Sequence, residues 1–185
     1  MYHGGTFLGV GEPSATKGLD ASFALAHILG VDKDDGRYAC HSAWGFEKAH
    51  NVPVSGCLSS LKKTDGIRLV SPDTEVWHAE CDTPVLTYHR FGKGSGVYLG
   101  GFCYSPEGAR MLLDILLYVT GKNPEKAGIC TNPATECAWF CAQHTLVIMN
   151  NSFDRQETDI SFGEGSVHVV LSPAETKILE IQENT

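Results

Sequence analysis

The segment Pro84–Gly121 decides the predicted fold, and it reads PVLTYHRFGKGSGVYLGGFCYSPEGARMLLDILLYVTG. β-branched and aromatic runs lie on either side of the turn Gly92–Gly96, which is the pattern of two strands joined by a tight connection. Ser105 then precedes a proline and a glutamate, as at the beginning of a helix. Aliphatic residues recur at near-helical spacing until Gly121, a suitable helix end. A hairpin covered by a helix predicts an α/β layer.

The chain before this segment predicts further elements of the same layer. Glycines frame a short apolar strand within Gly4–Gly11, and SFALAHIL at Ser22–Leu29 predicts a helix ended by glycine. Two short strands are predicted at Ile67–Val70 and Glu75–His78. The glycine loop lacks the spacing of a dinucleotide-binding motif and no phosphate-loop lysine follows it, so phosphate binding there is not favoured. DKDDG, which begins at Asp32, lacks the calcium-loop pattern and predicts a solvated acidic turn.

The pattern changes after Gly121. The linker Lys122–Lys126 combines charged and helix-breaking residues, and no helical period follows it. Short strands alternate with turns at about ten-residue intervals, which indicates an antiparallel sandwich or barrel. The predicted domains are a partial α/β domain at 1–126 and an antiparallel β domain at 127–185. The predicted strands of the second domain are Glu136–Ala142, Thr145–Asn150, Glu157–Phe162, Ser166–Leu171 and Thr176–Ile181.

Composition excludes several classes of function. The chain has 185 residues and a formal net charge of −8, and no basic run is longer than Lys62-Lys63, so we expect no nucleic-acid partner. The sequence has no signal peptide and no run of about 20 apolar residues, which predicts a cytoplasmic protein without a membrane partner. Seven cysteines occur without a C-x-x-C pair, and the histidines form no H-x-H or H-x-x-x-H pair. We therefore expect buried, reduced cysteines and no metal site.

Cys57 is a candidate nucleophile because it lies on a predicted turn, with His41, His50 or His89 as its base. The G-x-C-x-G elbow of such enzymes is absent, so a structural cysteine is the preferred interpretation. Carboxylates offer a second candidate, since an acid and a base placed across a glycosidic bond would hydrolyse it. Their spacing does not bring them together, and solvent-exposed acids are the preferred interpretation for Glu12, Glu47, Glu80 and Asp82.

Two irregular segments are candidates for a contact surface. The first is the loop of Glu12, Pro13 and Ser14 after the first strand, and the second surrounds Trp44 in a long aromatic and histidine-containing stretch. Long loops inside compact domains commonly bind a ligand or pack against a neighbour. We therefore expect both segments to lie near a substrate or an interface. Tryptophans are also candidates for sugar stacking, and the chain has three, at Trp44, Trp77 and Trp139.

Four motifs, GGTFLGVGEPSA, FALAHILGVDKDDG, FGKGSGVYLGGF and TNPATECAWFCAQHTLVIMNNSFDRQETDI, occur in the order in which the lacto-N-biose phosphorylases carry similar ones. These enzymes are also called 1,3-β-galactosyl-N-acetylhexosamine phosphorylases. The chain resembles their C-terminal portion over nearly its whole length. The resemblance implies part of a glutamine-amidotransferase-like, flavodoxin-like central α/β domain, followed by a small antiparallel β domain.

The family reaction is the reversible cleavage of a β-1,3-linked galactosyl-N-acetylhexosamine by phosphate, which yields galactose 1-phosphate and the free amino sugar. The resemblance implies inorganic phosphate as co-substrate and no other cofactor or metal. A TIM-type barrel carries the family's catalytic acid, and no stretch of this sequence resembles it. No catalytic residue is therefore carried over to this chain.

The resulting hypothesis is a non-catalytic part of such a phosphorylase, with a role in scaffolding, oligomerisation or closure of the active site. Its expected partners are a second copy of the chain or a barrel-bearing catalytic chain, through which the disaccharide would be bound. Two alternatives remain open at this point. One is a cysteine-dependent, amidotransferase-like hydrolase that uses Cys57, and the other is a carbohydrate-binding or interaction module.

Overall fold

The computed structural model describes residues 2–15, 22–34, 45–50, 52–54, 58, 61–123, 127–163 and 165–181. Strands dominate these residues, with twelve β-strands and two α-helices among them. The chain divides into two compact units, Met1–Ile115 and Leu116–Thr185. The domain boundary predicted after residue 126 stays a prediction. No helix in the described residues is long and apolar enough to cross a bilayer.

The first unit contains a four-stranded sheet, a two-stranded sheet and the helical segments. The four-stranded sheet has the order β1-β6-β5-β4, in which β1 pairs in parallel with β6 and the other pairs are antiparallel. β2 and β3 form the two-stranded sheet. The elements are β1 Thr6–Val10, α1 Ala26–Leu29, β2 Val31–Lys33, β3 Ile67–Leu69, β4 Glu75–Glu80, β5 Thr83–Phe91, β6 Gly94–Leu99 and α2 Pro106–Thr120, which crosses the division between the units.

The predicted hairpin and the helix after it are confirmed. β5 and β6 pair in antiparallel register through Phe91 and Gly94, so Gly92 and a lysine form a two-residue turn. Gly92 has a φ of 60°, a conformation that glycine adopts without steric cost. The Ser105 side-chain oxygen accepts the Gly108 N–H at 3.0 Å and thereby caps the N-terminus of α2. Gly121, also at positive φ, ends the helix.

The predicted α/β, flavodoxin-like layer is wrong, because the fold is rich in β-structure. A layer of that kind needs parallel strands connected by helices, whereas β4, β5 and β6 are consecutive antiparallel strands. The helix predicted at Ser22–Leu29 shrinks to the single turn of α1. Phe23 instead forms an antiparallel bridge with Ala15. The Phe23 N–H donates to Asp32 and the Ala24 N–H to the Ser14 carbonyl, so tertiary contacts hold the residues before α1.

α1 lies directly against the four-stranded sheet. A Cβ atom added to Gly96 of β6 would lie 2.2 Å from the Ile28 carbonyl oxygen, so the helix approaches the strand closely at this glycine. Gly30 ends α1 with a φ of 73°. One core cluster of this unit joins both sheets and contains the buried residues Phe23, Leu29, Val31, Ile67, Leu69, Val76, Ala79 and Tyr98.

The second unit contains two three-stranded antiparallel sheets, with orders β11-β10-β7 and β12-β9-β8. Residues that alternate along the strands form its core, and this alternation is the reason that the sequence predicted five of the six strands. β7 was missed because its sequence, AGIC, is short and contains glycine. The strands are β7 Ala127–Cys130, β8 Thr135–Phe140, β9 Thr145–Asn150, β10 Gln156–Phe162, β11 Gly165–Leu171 and β12 Thr176–Glu180.

The expectation that most cysteines are buried is wrong for the described residues. Cys81, Cys103 and Cys141 are exposed, whereas Cys130 is buried and Cys137 is half-buried. Cys81 lies at the tip of the β4–β5 hairpin at a φ of 44°, and turn positions of this kind are exposed. Cys81, Cys103 and Cys141 are free thiols.

Candidate functional site

The loop that follows β1 is the best-defined candidate site in the described residues. β1 and β6 are parallel, so their carboxyl ends lie at the same end of the strands in the sheet. The predicted loop residues Glu12, Pro13 and Ser14 lie there, together with Tyr98 near the end of β6. We call residues 11–15 the β1 loop.

Backbone bonds and packing fix the beginning of the β1 loop. The Gly11 N–H donates to the Leu99 carbonyl at 2.8 Å, which extends the parallel pairing by one residue. The Tyr98 hydroxyl donates to the Gly11 carbonyl at 3.1 Å. Pro13 folds back onto Gly9 so closely that a Cβ at Gly9 would lie 2.6 Å from the proline ring. The loop is therefore preorganised on the sheet.

Ser14 fixes the end of the loop. Its carbonyl accepts the Ala24 N–H at 2.9 Å, and its side-chain oxygen accepts the Leu25 N–H at 3.1 Å. The residue has a φ of 57°, an uncommon conformation for a residue with a side chain. Asp32 holds the same segment from β2, because its carboxylate accepts the Phe23 N–H at 2.7 Å. Ser14 thus contributes a structural contact at the site.

Charge at the loop comes from Glu12 and Lys33, which form an ion pair. The Glu12 side chain is 49% exposed and the Lys33 side chain 22% exposed, so the carboxylate stays accessible. Burial raises the pKa of Tyr98 to about 12, and the negative charge of Glu12 adds to the rise while a hydrogen bond with Thr64 opposes it. Tyr98 is therefore a neutral hydrogen-bond donor at physiological pH.

This arrangement can present one fixed, accessible carboxylate to a polar partner. Glu80 ends β4, Asp82 lies in the following turn, and Glu47 lines a separate pocket. The structure thus does not bring the four candidate acids together. A binding or positioning role fits the loop better than proton transfer.

Three of the predicted site residues, Cys57, His41 and Trp44, lie outside the described residues. Of the two other candidate bases, His50 is exposed, and His89 is buried with its Nδ1 atom 3.0 Å from the Ile28 carbonyl oxygen. The catalytic-cysteine hypothesis therefore stays a prediction.

The other tryptophan candidates are not open stacking platforms. Trp77 is 3% exposed and stacks on Tyr88 at a centroid distance of 5.3 Å. Trp139 is half-buried and packs against Phe162 in the core of the second unit. The prediction that Trp77 stacks on a sugar is wrong, because the protein itself covers the ring.

A second concave surface lies between residues 45–50 and 72–76. The pocket has a volume of about 400 Å³, and its wall includes the exposed residues Glu47, Lys48 and His50. Lys48 donates from its ammonium group to the Ala79 carbonyl at 3.0 Å. Burial, and then the positive charge of Lys48, lower the pKa of the neighbouring His78. The polar groups here hold the segment 45–50 onto β4.

Sequence reasoning missed the residues that hold the β1 loop in place. Asp32 was assigned to a solvated turn, but it is buried and lies 3.7 Å from Arg68 in the neighbouring strand β3. The apolar run before Asp32, which forms the end of α1 and the start of β2, was the signal that the acid begins inside the protein. Lys33 and Tyr98 were missed because their partners are distant in sequence, and local patterns do not report such pairs.

Solved structures with the same fold are β-galactosidases. Gan42B, a GH42 β-galactosidase, matches 96% of this chain and 28% of its own chain with a TM-score of 0.53 at 16% identity. The β-galactosidase of Rahnella sp. R3 matches the same share of both chains with a TM-score of 0.50 at 14% identity. These matches show a shared fold alone.

The curated sequence relatives of the chain are disaccharide phosphorylases. The D-galactosyl-β-1→4-L-rhamnose phosphorylase of Lachnoclostridium phytofermentans is 35% identical over 98% of this chain, and the match covers 25% of the relative. The 1,3-β-galactosyl-N-acetylhexosamine phosphorylase of Bifidobacterium longum is 28% identical over 88% of this chain, which covers 27% of that relative. The chain thus spans about a quarter of the length of these relatives.

Family models place the chain within one family. The lacto-N-biose phosphorylase central domain matches residues 1–124, and the lacto-N-biose phosphorylase C-terminal domain matches residues 128–179. The chain belongs to the lacto-N-biose phosphorylase family. The predicted resemblance is therefore confirmed.

Proposed function

We propose that this chain is a non-catalytic part of a phosphorylase that cleaves galactosyl disaccharides with phosphate to give galactose 1-phosphate. The chain supports the fold of the enzyme and helps to close its active site. The single observation that carries the proposal is the match of nearly the whole chain to the central and C-terminal domains of this family. The relatives that it resembles extend over about four times the matched length.

The β1 loop supports the closing role. An active-site wall has to keep its shape when substrate binds, and the hydrogen bonds of Gly11 and Ser14 fix this loop at both ends. Glu12 remains accessible on the loop, and a carboxylate can accept hydrogen bonds from sugar hydroxyl groups or from a partner surface.

The test is a chimera of the Lachnoclostridium rhamnose-disaccharide phosphorylase in which this chain replaces the matched quarter. We expect the chimera to release galactose 1-phosphate from galactosyl-β-1,4-rhamnose and phosphate, and a host that lacks the segment to release none. The purified chain alone should release none from this disaccharide or from galactosyl-β-1,3-N-acetylhexosamine. Phosphorolysis by the chain alone would overturn the proposal.

A second host separates support from substrate selection. If the chain is only a supporting part, the same replacement in the Bifidobacterium phosphorylase will keep that host's preference for galactosyl-N-acetylhexosamine. The matched control is Glu12→Gln in each chimera, which keeps the shape of the side chain and removes its charge. A preference that follows this chain instead of the host would assign it a direct role in substrate recognition.

A further inference from the structure

The two edges of the four-stranded sheet are built differently. On the β4 edge, the Ala49 N–H donates to the Val76 carbonyl at 2.9 Å, and a bridge joins Lys48 to the same residue. The register of β4 also shifts twice, at Val76/His78 and His78/Ala79. Covering segments and bulges of this kind prevent the addition of another strand. The β4 edge is therefore closed.

The β1 edge has none of these features among the described residues. The pairing with β6 uses the backbone groups of alternate residues, since the Gly5 carbonyl accepts from Ser95 and the Gly11 N–H donates to Leu99. The backbone N–H and carbonyl groups of Thr6, Leu8 and Val10 consequently point away from β6. β1 ends the sheet, and in the described part of the chain no strand pairs with this side.

The sequence of β1 favours the addition of a strand. Residues 2–11 contain no Asp, Glu, Lys or Arg although the chain has a net charge of −8, and they contain no proline. Charges and prolines are the usual protection of an exposed edge, and β1 lacks both. Val10 is 43% exposed in addition, so the edge presents apolar surface beside its free backbone groups. An unprotected edge of this composition is suited to strand addition.

We propose that the outer edge of β1 pairs with a β-strand from the remainder of a galactosyl disaccharide phosphorylase. This inference rests on the proposed function, because the partner strand would belong to the three-quarters of the relatives' length that lies outside the match. The backbone N–H and carbonyl groups of Thr6, Leu8 and Val10 bind that strand. The pairing continues the sheet and fixes the β1 loop, which begins one residue after Val10, against the partner.

Amide hydrogen exchange tests the pairing directly. In the chain alone, the amides of Thr6, Leu8 and Val10 should exchange quickly, whereas that of Gly9 is protected by β6. In the chimera with the Lachnoclostridium phosphorylase, the three outer amides should exchange about 100-fold more slowly, as expected for groups inside a cooperative sheet. Fast exchange of these amides in a folded chimera would overturn the proposal.

Amide hydrogen exchange is measured independently of catalysis, so the proposed strand pairing and the proposed function can fail separately. Protected outer amides in an inactive chimera would support the pairing and count against the proposed function, and an active chimera with fast exchange would do the reverse. Protection already present in the isolated chain would also overturn the proposal. In that case light scattering assigns the edge to a second copy if the chain is dimeric, or to this chain itself if it is monomeric.

A lysine substitution provides a matched pair of variants. Val10→Lys places a charge beside the edge, and Met149→Lys makes the same change at a site of similar exposure, 38%, on the central strand of a three-stranded sheet. In the chimera, Val10→Lys should restore fast exchange at Thr6 and Leu8, and Met149→Lys should not. Equal effects of both substitutions would overturn the proposal. If Val10→Lys does not fold, the exchange of the unsubstituted chimera still decides the question.

Discussion

The β1 loop and the turn that follows β9 are both held by hydrogen bonds, but their partners lie at different distances along the chain. Gly11 is bound by Tyr98, 87 residues away, and Ser14 by Leu25, 11 residues away. At the turn, the Asn150 side chain binds Ser152 and Asp154, which are two and four residues away, and Ser172, which is 22 residues away. The first region depends on the assembled sheet, whereas two of the three partners of Asn150 lie within its own turn.

This difference indicates how each region is used. Local bonds close short loops at little entropic cost, so the bonds from Asn150 to Ser152 and Asp154 can form within the turn itself. Long-range bonds form only when distant strands have met, so the shape of the β1 loop reports the integrity of the sheet. A loop that takes its final shape only in the folded protein is suited to an interface with another domain.

The largest expected effect comes from Gly96→Ala, which disturbs the contact between α1 and β6, the strand that pairs with β1. The new Cβ would lie 2.2 Å from the Ile28 carbonyl oxygen, so α1 has to move off the sheet. We expect the free energy of unfolding to fall by about 3 kcal/mol, the range for overpacking against backbone. Urea denaturation monitored by tryptophan fluorescence measures the change.

Gly163→Ala is the control for Gly96→Ala in the second unit. No heavy atom lies within 4 Å of a Cβ at Gly163, so its positive φ of 52° is the remaining source of strain. We expect a loss of about 1 kcal/mol, the cost of a left-handed conformation for alanine. Equal losses for the two variants would show that the contact between α1 and β6 is looser than described.

The next effect concerns the local region. Asn150 is 4% exposed, and its amide donates to the Asp154 and Ser172 carbonyls at 2.7 and 2.8 Å. Asn150→Ala leaves these acceptors without their donor, which should lower the free energy of unfolding by about 2 kcal/mol. Asn151→Ala changes the exposed neighbour and should cost less than about 0.5 kcal/mol. A small effect at both positions in thermal unfolding would contradict the role of Asn150.

These two regions also explain how much of the fold the sequence predicts. The strands of the second unit follow from alternation and turn residues, but their pairing does not, because only β8–β9 and β10–β11 are neighbours both in the chain and in a sheet. Pairing of β1 with β6 joins Thr6 to Ser95 across most of the first unit, and no local pattern contains it. The α/β prediction was wrong for a related reason. Ser22–Leu29 has helical spacing, but Phe23 pairs with Ala15 and the helix begins only at Ala26.

The candidate site was predictable only in part. Glu12, Pro13 and Ser14 could be located because a glycine-framed strand precedes them. The residues that hold them, above all Tyr98, could not be assigned, since alternation in β6 says which face a side chain occupies and not which carbonyl it binds. Pairs of this kind are decided by tertiary structure.

Tyr98→Phe sharpens the comparison by removing one long-range bond. The Tyr98 hydroxyl donates to the Gly11 carbonyl, so its loss should lower the free energy of unfolding by about 1 kcal/mol. Tyr104→Phe is the control, because Tyr104 is 84% exposed. Hydrogen exchange around Gly11 should accelerate in Tyr98→Phe alone. Unchanged exchange there would mean that the other contacts of the loop suffice.

The same variant has a defined pH dependence. Burial raises the pKa of Tyr98 to about 12 in the folded protein, from its ordinary value of 10.0. Between these pH values the unfolded chain releases the phenolic proton while the folded protein retains it, so the free energy of unfolding falls as the pH rises. Tyr98→Phe should therefore lose less stability than the unsubstituted protein between pH 10 and pH 12. Parallel pH profiles of the two proteins would contradict the buried hydroxyl.

The smallest effect is expected at an exposed pair in the second unit. Asp159 and His168 face each other on β10 and β11, with 2.8 Å between the carboxylate and Nδ1, and their side chains are 68% and 57% exposed. Water screens such a pair, so Asp159→Asn should change the free energy of unfolding by less than about 0.5 kcal/mol. A cycle with His168→Gln, in low salt and in about 1 M salt, isolates the interaction from each residue's own contribution. If the pair contributes more than about 1 kcal/mol in both salts, exposed local contacts would rank beside the Tyr98 hydroxyl. The contrast between short-range and long-range bonds would then fail as a guide to stability, because sequence separation would no longer separate weak contacts from strong ones.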